Sequence, residues 1–216
     1  KKIIHTSTSE VYGTAKYVPI DENHPIQTQS PYAASKSAAD QLAYSFYKSF
    51  NLPIVTLRPF NTYGPRQSAR AVIPSMIVQI LNGKKKINVG SLTPTRDFNY
   101  VHDICDAFYR ALISENINGK VINIGSNFEI SIRDTLTLIS EILNINIKTI
   151  KSKERFRPTN SEVNRLFSNN NLAKELLNWK PLYHGRKGFE KGLIKTIEWF
   201  SKVENRKFYK SDLFNY

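Results

Sequence analysis

Two short stretches carry residue types able to move protons. In Tyr32-Ala-Ala-Ser-Lys36 a phenol and an ammonium stand four positions apart. On a helix, positions i and i+4 share a face, so the two groups lie side by side. A phenol titrates near about 10, and a neighbouring cation favours the phenolate and lowers that value. The pair is a candidate base for a hydroxyl proton; its plain alternative is a Tyr–Lys pair on an amphipathic surface helix, which most isolated matches to this spacing are. The second stretch, Thr6-Ser7-Thr8-Ser9-Glu10-Val11-Tyr12-Gly13, gathers hydroxyls around one carboxylate. It directly follows an apolar run, and α/β sheets bind ligands beyond the carboxyl ends of their strands. Such a cluster suits a proton relay; its plain alternative is a Ser/Thr turn with an exposed glutamate.

Positioning these groups requires a strand, a loop and a helix, and the pattern supplies them in that order. Residues 3–6 form a short apolar run that reads as a buried strand. Residues 13–29, with Pro19 and Pro25, read as a loop. Ser30-Pro31 is an N-cap followed by proline in the first turn, which predicts a helix reaching Asn51 with Ala34, Ala38, Leu42 and Phe46 on one stripe. Residues 53–57 (PIVTL) are β-branched and apolar, a strand, so the order is α/β alternation. Downstream, helices are expected over 72–81, 103–113, 131–143, 170–177 and 188–203, with Asp103 and Ser131 as N-caps. Strands are expected at 87–89, 98–101, 121–124 and 147–150. Lys84 to Lys86 follow a stop at Gly83 and read as an exposed turn.

Composition excludes several classes. With 216 residues, 40% hydrophobic and 23% charged, the chain is long enough for a core and too apolar for disorder. No apolar run spans a bilayer and no signal-peptide pattern opens the chain, so no membrane partner is expected. The single cysteine, Cys105, excludes a disulfide framework and a Cys-rich metal site and fits a reducing, cytoplasmic compartment. His5, His24, His102 and His184 show no metal spacing. The net charge is +13, with 12 basic and 7 acidic residues in 1–108 against 19 and 11 in 109–216. The excess is therefore spread along the chain rather than held in a tail. Heavy use of Ile, Lys and Asn accounts for most of it, and no nucleic-acid motif accompanies it.

Taken together, the two proton-handling stretches are far more specific than either alone. Further motifs follow in order: Arg58-Pro-Phe-Asn61-Thr-Tyr-Gly-Pro-Arg66-Gln67, Thr95-Arg96-Asp97-Phe98, Tyr100-Val101-His102-Asp103, Asn123-Ile-Gly125, Arg157-Pro158 and Trp179-Lys-Pro181. Over nearly its whole length the chain resembles the extended short-chain dehydrogenases/reductases of the NAD-dependent epimerase/dehydratase family. Within it the chain resembles the nucleotide-sugar 4,6-dehydratases, most of all those acting on nucleotide-linked N-acetylglucosamine in legionaminic-type pathways. The resemblance implies the C-terminal part of a doubly wound Rossmann-type parallel sheet plus a smaller mixed α/β substrate domain. Residues 1–60 would hold later elements of the NAD-binding domain, and 61–216 mainly the substrate domain with segments returning to the sheet.

The resemblance also implies roles. Tyr32 would take the sugar C4 hydroxyl proton as hydride passes to NAD, and Lys36 would hold the nicotinamide ribose and depress the Tyr32 pKa. Ser7 would also face the cofactor. Thr8 would hydrogen-bond the C4 oxygen, and Glu10 would remove the C5 proton. Ser9 stands where many relatives place an aspartate that protonates the leaving C6 hydroxyl; a hydroxyl there would relay a proton through water, or Glu10 would serve both steps. Asn61, Arg96 and Arg157 would hold the substrate diphosphate, with Arg66 and Arg70 as weaker candidates, since guanidinium forks suit pyrophosphate. A homodimer paired through the 32–51 helix is implied as well. C4 epimerases and decarboxylases of the family remain the alternative, although a carboxylate so close to the Ser/Thr argues for elimination.

None of the nine glycines forms the Gly-rich loop with which this family holds NAD. Residues 185–192 (GRKGFEKG) follow no strand and have the wrong spacing. The chain is therefore expected to be the later part of an enzyme, with the Gly-rich half absent, or else an inactive or split remnant.

Overall fold

A computed structural model describes residues 1–209. The chain opens with β1 (Ile3–Thr6), a 3-10 turn over Ser9–Tyr12, α1 (Pro31–Phe50) and β2 (Ile54–Pro59). It continues through β3 (Thr62–Tyr63), α2 (Val72–Leu81), β4 (Lys86–Val89), β5 (Thr95–Arg96), β6 (Asn99–Tyr100) and α3 (Val101–Ile113). Then come β7 (Val121–Ile124), β8 (Ile130–Ser131), α4 (Ile132–Leu143), β9 (Lys148–Lys151), β10 (Arg165–Leu166), α5 (Asn171–Leu177), α6 (Gly185–Ser201) and α7 (Val203–Arg206).

β1, β2 and β7 form a parallel sheet in that order, in the register Ile4↔Val55 and Thr56↔Val121. Its apolar residues Val55, Leu57, Ile122 and Ile124 pack with Ala107 and Ala111 of α3 and with Leu177 and Trp179 at the end of α5. β2 is buried along nearly its whole length, as a strand covered on both faces must be. A second core joins α2, α4 and α6 to the β4–β9 pair through Ile77, Ile87, Leu138, Phe189 and Phe200. A third, smaller cluster of Val11, Tyr12, Ile20, Phe60, Val163 and Leu166 lies under the 3-10 turn.

Helix starts follow local chemistry. Ser30 Oγ accepts the Ala33 N–H at 3.1 Å with Pro31 in the first turn, and Ser131 Oγ accepts the Asp134 N–H at 3.0 Å. The α1 stripe of Ala34, Ala38, Leu42 and Phe46 faces away from the core: Leu42 is 60% exposed, and the buried residues of α1 are Ala33 and Asp40. The helix docks through a small and polar face because a buried carboxylate is fully paired there, and the apolar stripe points away. Two expectations need correction. Asp103 is not an N-cap; α3 begins at Val101, and Asp103 is buried in its first turn, accepting the Tyr183 N–H at 2.8 Å. The strand expected at 98–101 shrinks to the two residues of β6, with Val101 already the first residue of α3; β5, at 95–96, lies outside that expectation and pairs with different partners.

Asp97, fully buried between β5 and β6, ties three segments together. Its carboxylate accepts the N–H of Ser126 (2.9 Å), Asn127 (3.1 Å) and Ser168 (3.1 Å), and the hydroxyls of Ser126 and Ser168. Gly125 must be glycine for the same reason, since a Cβ there would meet Ser168 Oγ at 2.0 Å. Burial pushes the Asp97 pKa up and these donors pull it back. Asp97→Ala strands several buried donors at once and is expected to cost at least about 3 kcal/mol in urea unfolding. A loss under about 1 kcal/mol contradicts this reading.

Candidate active site

The 3-10 turn sits at the carboxyl end of β1. Thr8 is its N-cap: Thr8 Oγ1 accepts the Glu10 N–H at 3.2 Å, which leaves the hydroxyl proton available to another acceptor. Gly13 ends the turn at φ 65°, where a Cβ would meet the Gln27 carbonyl at 2.2 Å, so only glycine fits. From the opposite wall α1 presents Tyr32, 54% exposed, and Lys36, whose Nζ donates to the Thr6 carbonyl at 3.0 Å. Thr8, Ser9, Glu10, Tyr32 and Lys36 all line one cavity of about 1040 Å³. Ser7 lines it as well, but its hydroxyl donates to Asp40 at 2.8 Å and so faces the interior network.

A second cavity of about 520 Å³ adjoins the first, and Glu10, Asn61, Thr62, Arg70 and Arg157 line both. Arg96 lines the second; it is 7% exposed, donates to the Thr95 carbonyl at 2.8 Å and pairs with Glu162 at 3.4 Å. Burial lowers its pKa, while Glu10 and Glu162 counter that. Arg157 reaches Glu10 at 3.4 Å. Asn61 Oδ1 is buried and has no hydrogen-bond partner among the described residues. Arg66 lines neither cavity; it is exposed, at φ 65°.

The structure thus brings together Tyr32, Lys36, Thr8, Ser9, Glu10, Asn61, Arg70, Arg96 and Arg157 around two joined cavities. The sequence reading did not single out Glu162 and Arg155, which also line the second cavity. No spacing signals either one, because both lie in the irregular stretch between β9 and β10. Among the described residues no group of His, Cys, Asp and Glu could hold a metal, and no helix is long and apolar enough to cross a membrane.

For a nicotinamide dinucleotide the fit is specific at one end. An exposed phenol and an ammonium flank the carboxyl end of a parallel strand, where such a ring and its ribose bind. Among the described residues there is no Gly-rich strand–turn–helix for the diphosphate.

Several known proteins are similar to this chain in sequence and fold. The chain is 34% identical over 209 residues to human dTDP-D-glucose 4,6-dehydratase, an alignment covering 93% of this chain and 56% of that one. The crystal structure of dTDP-glucose 4,6-dehydratase from Bacillus anthracis in complex with NAD superposes with a TM-score of 0.82 at 31% identity, over 96% of this chain and 63% of that one. UDP-glucuronic acid 4-epimerase from Bacillus cereus, solved with UDP-glucuronic acid and NAD, gives a TM-score of 0.83 at 31% identity, over 92% and 61%. The chain therefore spans about 56–63% of the length of these relatives. Its folded part matches theirs as an α/β unit with a parallel, Rossmann-type sheet. The family model of GDP-mannose 4,6 dehydratase matches residues 1–192, and the chain belongs to that family.

Proposed function

We propose that this chain carries the catalytic and substrate-binding residues of an NAD-dependent nucleotide-sugar 4,6-dehydratase, a lyase of bacterial cell-surface sugar biosynthesis. The observation that carries the proposal is the Glu10 carboxylate, which opens on both cavities and shares the first with Tyr32 and Lys36. Bound NAD supplies the hydride acceptor for C4 and the hydride donor for C6. Tyr32, one turn from Lys36 on α1, takes the C4 hydroxyl proton. Thr8 donates its free hydroxyl proton to the C4 oxygen. The C4 ketone acidifies C5–H, and Glu10 accepts that proton as the C6 hydroxyl leaves as water. Ser9, 2% exposed at the cavity wall, relays a proton from water to the leaving oxygen, and C5 takes a proton back from Glu10 as hydride adds to C6. Arg96, Arg157, Asn61 and Arg70 hold the diphosphate, which replaces Glu10 and Glu162 as partner of the two paired guanidiniums.

A C4 epimerase needs only the Tyr–Lys pair and a hydroxyl, so the epimerase likeness leaves Glu10 without a task. The free, exposed Cys105 supports a cytoplasmic location. The outward stripe of α1 supports a homodimer paired through that helix.

The test is mass spectrometry of the NAD-loaded enzyme with a panel of UDP-, dTDP- and GDP-sugars, UDP-N-acetylglucosamine included. A dehydratase yields a product lighter by one water; an epimerase yields one of unchanged mass, and that result ends the proposal. In calorimetry, Arg96→Ala is expected to weaken binding of the cognate nucleoside diphosphate about 10- to 100-fold, because a buried charge-assisted contact is lost. An unchanged affinity removes Arg96 from the diphosphate site.

A further inference from the structure

Beneath the larger cavity runs a buried polar chain that none of these steps uses. Asp40 lies one turn beyond Lys36 on α1 and is 3% exposed. Its Oδ2 accepts from Ser7 Oγ at 2.8 Å and from Arg58 Nε and Nη2 at 3.1 and 2.9 Å, and its Oδ1 meets His5 Nε2 at 2.9 Å. Arg58, on β2, donates its other nitrogen, Nη1, to Tyr12 Oη at 3.0 Å, and its guanidinium carbon lies 5.0 Å from the Tyr12 ring centre. Tyr12 Oη donates in turn to Asn123 Oδ1 on β7 at 2.8 Å. Tyr12 is the last residue of the 3-10 turn that holds Glu10.

This chain answers a question that the cavity leaves open, namely what holds Glu10 in place. Among the described residues its carboxylate makes one ion pair, at 3.4 Å, with an Arg157 side chain that is 51% exposed. Such a contact is worth little as a positional restraint. The turn itself is four residues long, and its internal backbone bonds are weak, 3.5 Å from Val11 N to Thr8 O and 3.2 Å from Gly13 N to Glu10 O. Its pose must therefore be set from outside: by Val11 and Tyr12 in the small core, by the Gln27 N–H on the Val11 carbonyl at 3.0 Å, and by the Tyr12 hydroxyl, the one link that runs on to α1. The Tyr12 ring fills the small core under the turn, and a phenylalanine ring fills the same space. The hydroxyl is needed only for the hydrogen bonds to Arg58 and Asn123. Asp40 anchors the other end of the chain on the helix that carries Tyr32 and Lys36.

We infer that Asp40, Arg58 and Tyr12 are positioning residues that fix the Glu10 turn against the Tyr32–Lys36 helix, so that removal of the C5 proton keeps pace with oxidation at C4. The inference rests on the dehydratase reading. It predicts an asymmetric defect: loosening the Tyr12 end moves Glu10 and leaves Tyr32 and Lys36 where they are.

The experiment is a single-turnover measurement on the NAD-loaded holoenzyme with the sugar nucleotide that the wild type dehydrates, comparing wild type, Tyr12→Phe and Arg58→Lys. Arg58→Lys keeps a cation on Asp40 and loses the fork to Tyr12, so it tests the same link should Tyr12→Phe fold poorly. In both variants water loss is expected to slow about 10- to 100-fold, the scale of a misplaced reacting group. Absorbance of reduced cofactor builds up because C4 oxidation continues, and incorporation of solvent deuterium at C5 falls. Nucleoside diphosphate affinity by calorimetry is expected to stay within about twofold, since among the described residues Arg96 on β5 and Asn61 in the link after β2 make no hydrogen bond to the Asp40–Arg58–Tyr12 chain. A purely structural role slows both steps together or neither, without reduced cofactor accumulating, and that outcome overturns the inference. A wild-type enzyme that releases no dehydrated product overturns the dehydratase reading instead.

Discussion

Tyr32→Phe is expected to abolish turnover and to block its first step, so that no reduced cofactor forms when substrate is added. The phenol is the one ionisable side chain of α1 that opens on the cavity beside Lys36, and the substitution removes a single oxygen. General-base assistance is worth about 10²- to 10⁴-fold, and no neighbour is placed to replace it. Thr8 is the nearest alternative in kind, but its oxygen already accepts the Glu10 N–H, and an aliphatic hydroxyl gives up its proton far less readily than a phenol and so makes no base here. Nucleoside diphosphate binding should be unchanged, because the residues facing that part of the ligand are Arg96, Arg157 and Asn61. Stopped-flow absorbance with the wild-type substrate checks the first claim and calorimetry the second. Turnover within about tenfold of wild type would remove Tyr32 from the base role.

Glu10→Gln is expected to separate the two halves of the reaction. The amide keeps the shape of the side chain and loses the ability to take a proton, so water loss falls about 10²- to 10⁴-fold. Oxidation at C4 depends on Tyr32, Lys36 and Thr8 and continues, leaving reduced cofactor on the enzyme. The substitution also removes the charge that Arg157 meets at 3.4 Å. The guanidinium is then free for the substrate diphosphate, and binding should be as tight as in wild type or tighter. Normal water loss by the Gln variant contradicts the dehydratase reading and leaves the C4 epimerase as the better account.

Much of the scaffold under these residues was legible because its signals are local. Ser30-Pro31 starts α1 through one side-chain oxygen and one fixed φ, both visible in two letters. The run VINI at 121–124 is short, apolar and closed by Gly125, and it forms β7 as expected. The spacing of Tyr32 and Lys36 places both on one helix face whatever the rest of the chain does. The apolar stripe of α1 does not tell which face docks. In α1 the docked face carries Asp40, and nothing in the local pattern shows that Ser7, His5 and Arg58 converge on it from β1 and β2. The role of Asp103 is hidden in the same way, since its partner, the Tyr183 amide, lies 80 residues away.

By itself, then, the sequence determined the chemical inventory: a phenol and an ammonium four residues apart, a carboxylate among hydroxyls after a strand, and arginines suited to phosphate. Residue type and short spacing carry that information, because pKa range, donor count and helix periodicity belong to a few neighbouring residues. Only the tertiary structure decided which members of the inventory meet. It placed Glu10 on both cavities, left Arg66 outside them, turned the Ser7 hydroxyl toward Asp40, and put Glu162 against Arg96. Those outcomes depend on the parallel pairing of β1, β2 and β7 and on buried charges that must find partners across it. Both are long-range conditions that no short window of sequence contains.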